Sequence, residues 1–62
     1  MAEGKPIRLV LADDHALVLE GLSALIAAER DLRVVATATD GERLLDALRR
    51  FQPDVAVLDL QM

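Results

Sequence analysis

The chain has 62 residues, 53% of them apolar, with no cysteine and a formal net charge of −4. That length holds one domain at most, and the lack of cysteine excludes disulfides and thiolate metal sites. Seven Lys and Arg against eleven Asp and Glu make this segment a poor nucleic-acid binder, because such binding depends on basic side chains that neutralise phosphates.

A chain this short buries only about 60% of its unfolded surface, and one small core rarely supplies more than roughly 3–5 kcal/mol. The apolar content is carried by Leu, Val and Ala rather than aromatics, which are 2%. We therefore expect more apolar surface than the chain can bury by itself. No apolar run approaches the roughly 20 residues that span a bilayer. Met1-Ala2-Glu3-Gly4-Lys5-Pro6 lacks the basic start and long apolar stretch of a signal peptide. The expectation is a cytoplasmic segment.

Ile7-Arg8-Leu9-Val10-Leu11 is a short apolar run rich in branched residues, suited to a strand buried on both faces. From Ala16 the pattern becomes helical, with Val18, Leu22, Leu25 and Ile26 on one face. Asp14 or His15 stands where an N-cap belongs, and Glu29-Arg30-Asp31 ends the helix. Arg33-Val34-Val35-Ala36-Thr37 reads as a second strand. Asp40 then caps a second helix whose Leu44, Leu45, Leu48 and Phe51 share a face. Arg49 and Arg50 lie near its C-terminus, where the helix dipole favours cations. Gln52-Pro53-Asp54 stops it, since proline cannot continue the hydrogen-bond ladder. Val55-Ala56-Val57-Leu58 is a third buried strand, followed by Asp59.

The order β-α-β-α-β with apolar strands argues a parallel α/β sheet. In open α/β sheets, chemistry collects beyond the carboxyl ends of the strands, where strand order reverses. Asp13-Asp14 and Asp59 follow the first and third strands. With strand order 2-1-3, these acids share one edge. Three ionised carboxylates in one cleft repel, so they hold a proton or a cation. An oxygen-only donor set suits a hard ion, Mg²⁺ above all. Taken singly, Asp13-Asp14 reads as a loop and cap, Asp59 as a strand-end turn, and His15 as a helix-start residue rather than a ligand or base. Joint placement turns the acids toward a metal cradle.

The layout resembles the N-terminal half of a response-regulator receiver domain from two-component signalling, a flavodoxin-like doubly wound fold. The residues that carry the resemblance are Ile7 to His15, the Thr39-Asp40-Gly41-Glu42 turn and Pro53 to Met62. The Asp-Asp-His start and the Asp-Leu-x-Met end look most like the subgroup with a LuxR/NarL-type helix-turn-helix output domain. The resemblance implies that Asp59 accepts a phosphoryl group from a sensor histidine kinase. It further implies that Asp14 binds Mg²⁺ directly, that Asp13 supports it chiefly through water, and that Gln61 offers a backbone carbonyl. A receiver continues for about as long again, adding a Thr or Ser and a Lys that contact the phosphoryl group. Residues 1–62 are thus expected to form a truncated receiver without its output domain, not an enzyme and unable to complete a phosphorylation switch.

Two other functions compete. A cobalamin-type module would need Asp-x-His-x-x-Gly, but position 18 is Val and the next glycine, Gly21, is out of register. An assembly module is compatible with the receiver reading. The third strand of a three-stranded sheet is an unpaired edge, a template for pairing with another chain. A homo-oligomer through that edge or through helix faces is expected.

Overall fold

The computed structural model describes residues 5–59. Five elements follow in order: β1 (Ile7–Asp13), α1 (Ala16–Ala27), β2 (Leu32–Ala38), α2 (Gly41–Phe51) and β3 (Val55–Asp59). They form one parallel sheet in the order β2-β1-β3, the topology expected from the sequence. Each strand is slightly longer than its apolar run. Asp13 and Asp59 are consequently the last residues of β1 and β3, not the first residues beyond them.

The central strand is the core. Leu9, Val10, Leu11 and Ala12 are all buried, as an apolar run covered on both faces should be. Val10 and Ala12 meet Ala38 of β2 and Leu44 and Ala47 of α2 on one face. Alternation along the strand turns Leu9, Leu11 and Asp13 to the other face. There α1 lies over β1 and β2 without approaching α2.

The helices are placed as expected, but their inward faces differ. In α1 only Leu19 is buried, flanked by half-buried Leu22, Ser23 and Ile26. Val18 is exposed and Leu25 is 71% exposed, so the inward stripe lies one residue on from the expected Val18-Leu22-Leu25-Ile26 face. In α2, Leu44 and Leu48 point inward as expected. Ala47, not Leu45 or Phe51, completes the stripe: it is buried with Leu44 against Val10 and Ala12, whereas Leu45 and Phe51 are exposed.

The largest correction concerns β3. It is expected to be buried, yet all five residues are exposed. The cause is geometric: both helices lie over β1 and β2, and neither lies over β3. Val55, Val57 and Leu58 therefore keep much of their apolar surface in water.

Local chemistry fixes the chain reversals. The Asp40 carboxylate accepts from Arg43 N–H at 2.8 Å, a cap that contributes about 1 kcal/mol. Gln52 ends α2 in the left-handed region, φ 46°, where a non-glycine residue is uncommon. The strain is offset by Arg8, whose guanidinium donates to the carbonyls of Phe51 at 2.6 Å and Gln52 at 3.1 Å. Those are carbonyls that a helix end leaves unsatisfied. Arg8 N–H also donates to Asp54 Oδ2 at 2.9 Å, and Asp54 N–H donates back to the Arg8 carbonyl. One residue thus ties the end of α2 and the start of β3 to the start of β1, which sets the β1–β3 register.

Candidate functional site

That register decides where the acids meet. Leu9 pairs with Val55, Leu11 with Val57, and Asp13 with Asp59. Neighbouring strands lie about 4.8 Å apart, and paired residues of parallel strands project to the same face. Asp13 and Asp59 accordingly stand side by side at the carboxyl edge of the sheet. Asp14 follows at once, in the turn into α1.

The three acids differ in environment. Asp13 is 2% exposed, the one buried charged residue among those described, whereas Asp14 and Asp59 are exposed. A buried carboxylate is tolerated only when hydrogen-bonded or paired. Asp13 Oδ1 accepts from His15 N–H at 2.9 Å and contacts His15 Nδ1 at 3.1 Å. His15 Nδ1 also lies 2.8 Å from Asp14 Oδ1. Among the described residues, Asp13, Asp14 and His15 bring one ligand atom each within 4.8 Å of one another.

His15 stands at the helix start, as expected from the sequence. It occupies the N-cap position of α1, yet its side chain makes no capping bond. The imidazole turns back onto the two carboxylates. Asp14 does not cap the helix either; the Asp13 carboxylate orders the turn through the His15 N–H. Nothing in the sequence pattern signalled this contact except adjacency, and adjacency alone is a weak signal.

The electrostatics follow. The bond from the His15 backbone N–H lowers the Asp13 pKa against the opposing effect of burial. The hydrogen bond to Asp13 raises the His15 pKa above 6.5, with help from the charges of Asp14 and Asp59. A raised histidine contributes stability that is complete below pH 6.5 and lost as pH rises through its folded-state pKa. A depressed carboxylate contributes stability that is complete above pH 3.8 and lost as pH falls through its own. Without divalent cations, the urea midpoint should therefore decline as pH rises above 6.5, and His15→Ala should flatten that decline. An unchanged alkaline limb in the variant would sever the link. The chain has a single histidine, so its imidazole proton signals report the same titration directly.

Gln61, expected to lend a backbone carbonyl to the metal, lies outside the described residues. Arg8, which anchors β3 beside β1, escaped the sequence reading. Its one signal is a lone cation inside an otherwise apolar strand.

Comparison with known proteins agrees with this arrangement. Residues 9–62 match the response regulator receiver domain family. Among curated proteins, the oxygen regulatory protein NreC of Staphylococcus aureus strain JH9 is 41% identical over 56 residues, and that of strain USA300 is identical to the same extent. Each alignment covers 90% of this chain and 26% of the relative, so the chain spans about a quarter of the length of the curated relatives it matches. With the family model matching residues 9–62, nearly the whole of this chain, the chain belongs to the response regulator receiver domain family.

Proposed function

We propose that residues 1–62 form the metal-binding and phosphoacceptor half of a receiver in two-component signalling, with Asp59 as the acceptor. A carboxylate oxygen of Asp59 attacks the phosphorus of a kinase phosphohistidine. The phosphorus–nitrogen bond breaks, the imidazole leaves with the electron pair, and an acyl phosphate remains on Asp59. The protein is then a substrate and not an enzyme. The observation that carries this reading is the pairing of Asp13 with Asp59 at the sheet edge next to Asp14.

The donor set fits a hard divalent ion. Two carboxylates from consecutive residues converge, one held rigidly by burial, and a third stands on the adjacent strand. Asp14 and Asp13 would hold Mg²⁺, with Asp59 completing the share of the described residues. When bound, the ion offsets repulsion between an anionic nucleophile and an anionic donor and spreads the developing charge. Asp13, fixed by its two contacts to His15, keeps its neighbour Asp14 in place while exposed Asp59 faces the incoming group. A cytoplasmic transcription regulator of the LuxR/NarL type is the parent that fits, with the sensor kinase as partner.

The test is a metal titration read by the side-chain carboxyl NMR signals. Mg²⁺ should move Asp13, Asp14 and Asp59 together, and beryllium fluoride added with Mg²⁺ should move Asp59 further. A titration in which all three stay still refutes the assignment.

The exposure of β3 favours a second, compatible reading, self-association. An edge strand with bare backbone groups and both faces apolar is a template for another chain. Sedimentation should show a concentration-dependent oligomer, and Val57→Lys with Leu58→Lys should make it monomeric. A well-folded monomer of the unmodified chain at micromolar concentration rules this out.

A further inference from the structure

We propose that Arg8 is a positioning residue for Asp59: from the opposite end of the sheet it fixes the register that stands the acceptor beside Asp13. This rests on the reading of Asp59 as the phosphoacceptor. β3 needs such a device because burial does not supply one. A strand's register is set firmly where one face is buried and weakly where neither is. All five residues of β3 are exposed, and among the described residues β3 packs on β1 alone. A slip of one residue against β1 would move Asp59 by about 3.3 Å and turn it to the other face of the sheet.

Arg8 blocks that slip. Its guanidinium holds the carbonyls of Phe51 and Gln52 at 2.6 and 3.1 Å, which pins the last turn of α2 to β1. Only Gln52, Pro53 and Asp54 lie between that helix and β3, and the proline ring fixes one of the connector's backbone angles. The connector therefore has little slack. Its last residue is fastened twice more: Arg8 N–H donates to Asp54 Oδ2, and Asp54 N–H donates to the Arg8 carbonyl, both at 2.9 Å. The strand pairs begin at the next residue, with Leu9 beside Val55, and end with Asp13 beside Asp59. The partners of Arg8 are Phe51, Gln52 and Asp54, none of them at the acid edge, so it acts on Asp59 through the strand pair. Arginine suits the task because its planar fork serves two carbonyls in one fixed geometry, which a lysine ammonium does not reproduce.

Two measurements test this. In the chain, cross-strand nuclear Overhauser contacts read the register. The unmodified chain should show Leu11 beside Val57 and Asp13 beside Asp59, and Arg8→Ala should weaken both and add contacts displaced along β3. In a receiver that carries this segment, Arg8→Ala should slow phosphoryl incorporation from a small phosphodonor by at least about tenfold, since a misplacement near 1 Å can cost about 100-fold. Added Mg²⁺ should not restore the rate, which distinguishes this loss from that of a metal ligand. Arg8→Lys should fall between. Arg8→Ala also loosens the end of α2, so the double variant with Gln52→Gly separates positioning from stability. Glycine takes the left-handed conformation of position 52 without steric cost. It should restore the urea midpoint while the rate stays low and the register stays mixed. Recovery of the rate along with the midpoint would make Arg8 a turn stabiliser only and overturn the proposal. An undisturbed register in the folded double variant would also overturn it, and would leave the reading of Asp59 intact. A disturbed register with unchanged incorporation removes Asp59 as the acceptor, and the role of Arg8 with it.

Discussion

Leu11→Ala should abolish cooperative unfolding of this chain. Leu11 is 1% exposed at the centre of β1 and on the face that carries Leu9 and Asp13. Truncating a buried leucine costs roughly 2–5 kcal/mol, the lost transfer energy plus a cavity that neighbours fill only partly. A domain of this size has roughly 3–5 kcal/mol from its core, so one substitution removes most of the margin. Relaxation gives little relief, because Leu11 lies on the middle strand between two hydrogen-bonded neighbours. The comparison that isolates burial is Leu17→Ala. It removes the same atoms from a side chain 81% exposed on α1, and it should leave the urea midpoint nearly unchanged. Circular dichroism during urea titration reads both. A sharp Leu11→Ala transition near the wild-type midpoint would mean that the core lies elsewhere.

The contrast between those leucines shows what the sequence encodes and what it leaves open. The strands and the parallel order were legible because runs such as Ile7 to Leu11 and Val55 to Leu58 are short, rich in branched residues and set off by Pro6 or by aspartates. The ends of α2 were legible for the same local reason: Asp40 bonds Arg43 N–H, and Pro53 follows the turn at Gln52. The inward face of α2 was largely legible, since Glu42, Arg43, Asp46, Arg49 and Arg50 mark its outer side. Ala47 was missed because a methyl group carries almost no periodic signal.

The inward face of α1 was not legible. Leu17, Val18, Leu19, Leu22, Leu25 and Ile26 spread over more than half of the helix circumference, and a stripe that wide does not select one direction. The exposure of β3 was hidden for a related reason. An apolar strand states the environment it suits, and residues 5–59 cover β1 but not its neighbour. Within the site, the common edge of Asp13 and Asp59 follows from topology and was readable. The contacts of His15 depend on one turn's dihedrals, which pattern does not encode.

Asp59→Asn, made in a receiver that carries this segment, should reduce phosphoryl incorporation from a small phosphodonor by at least about 100-fold. An amide nitrogen is a poor nucleophile, and losing the attacking group removes the covalent step itself. The fold should survive, because Asp59 is exposed at the end of β3 and outside the core. Removing one of three neighbouring carboxylates also relieves repulsion, so the urea midpoint should hold or rise. Asp59→Glu sharpens the point. It keeps the charge but moves the oxygens outward by about one methylene, and a misplacement near 1 Å can cost about 100-fold in a positioned reaction. Both variants should therefore fail at phosphorylation while keeping wild-type circular dichroism. Asp14→Asn should fail differently, with Mg²⁺ dependence weakened and some acceptance restored at high ion concentration. Asp59 and Asp14 lie at one sheet edge, and this split of chemistry from ion affinity is what tells the proposed acceptor from the proposed metal ligand. Incorporation at the wild-type rate in Asp59→Asn would move the nucleophile to the exposed Asp14, because Asp13 is buried and already bonded to His15.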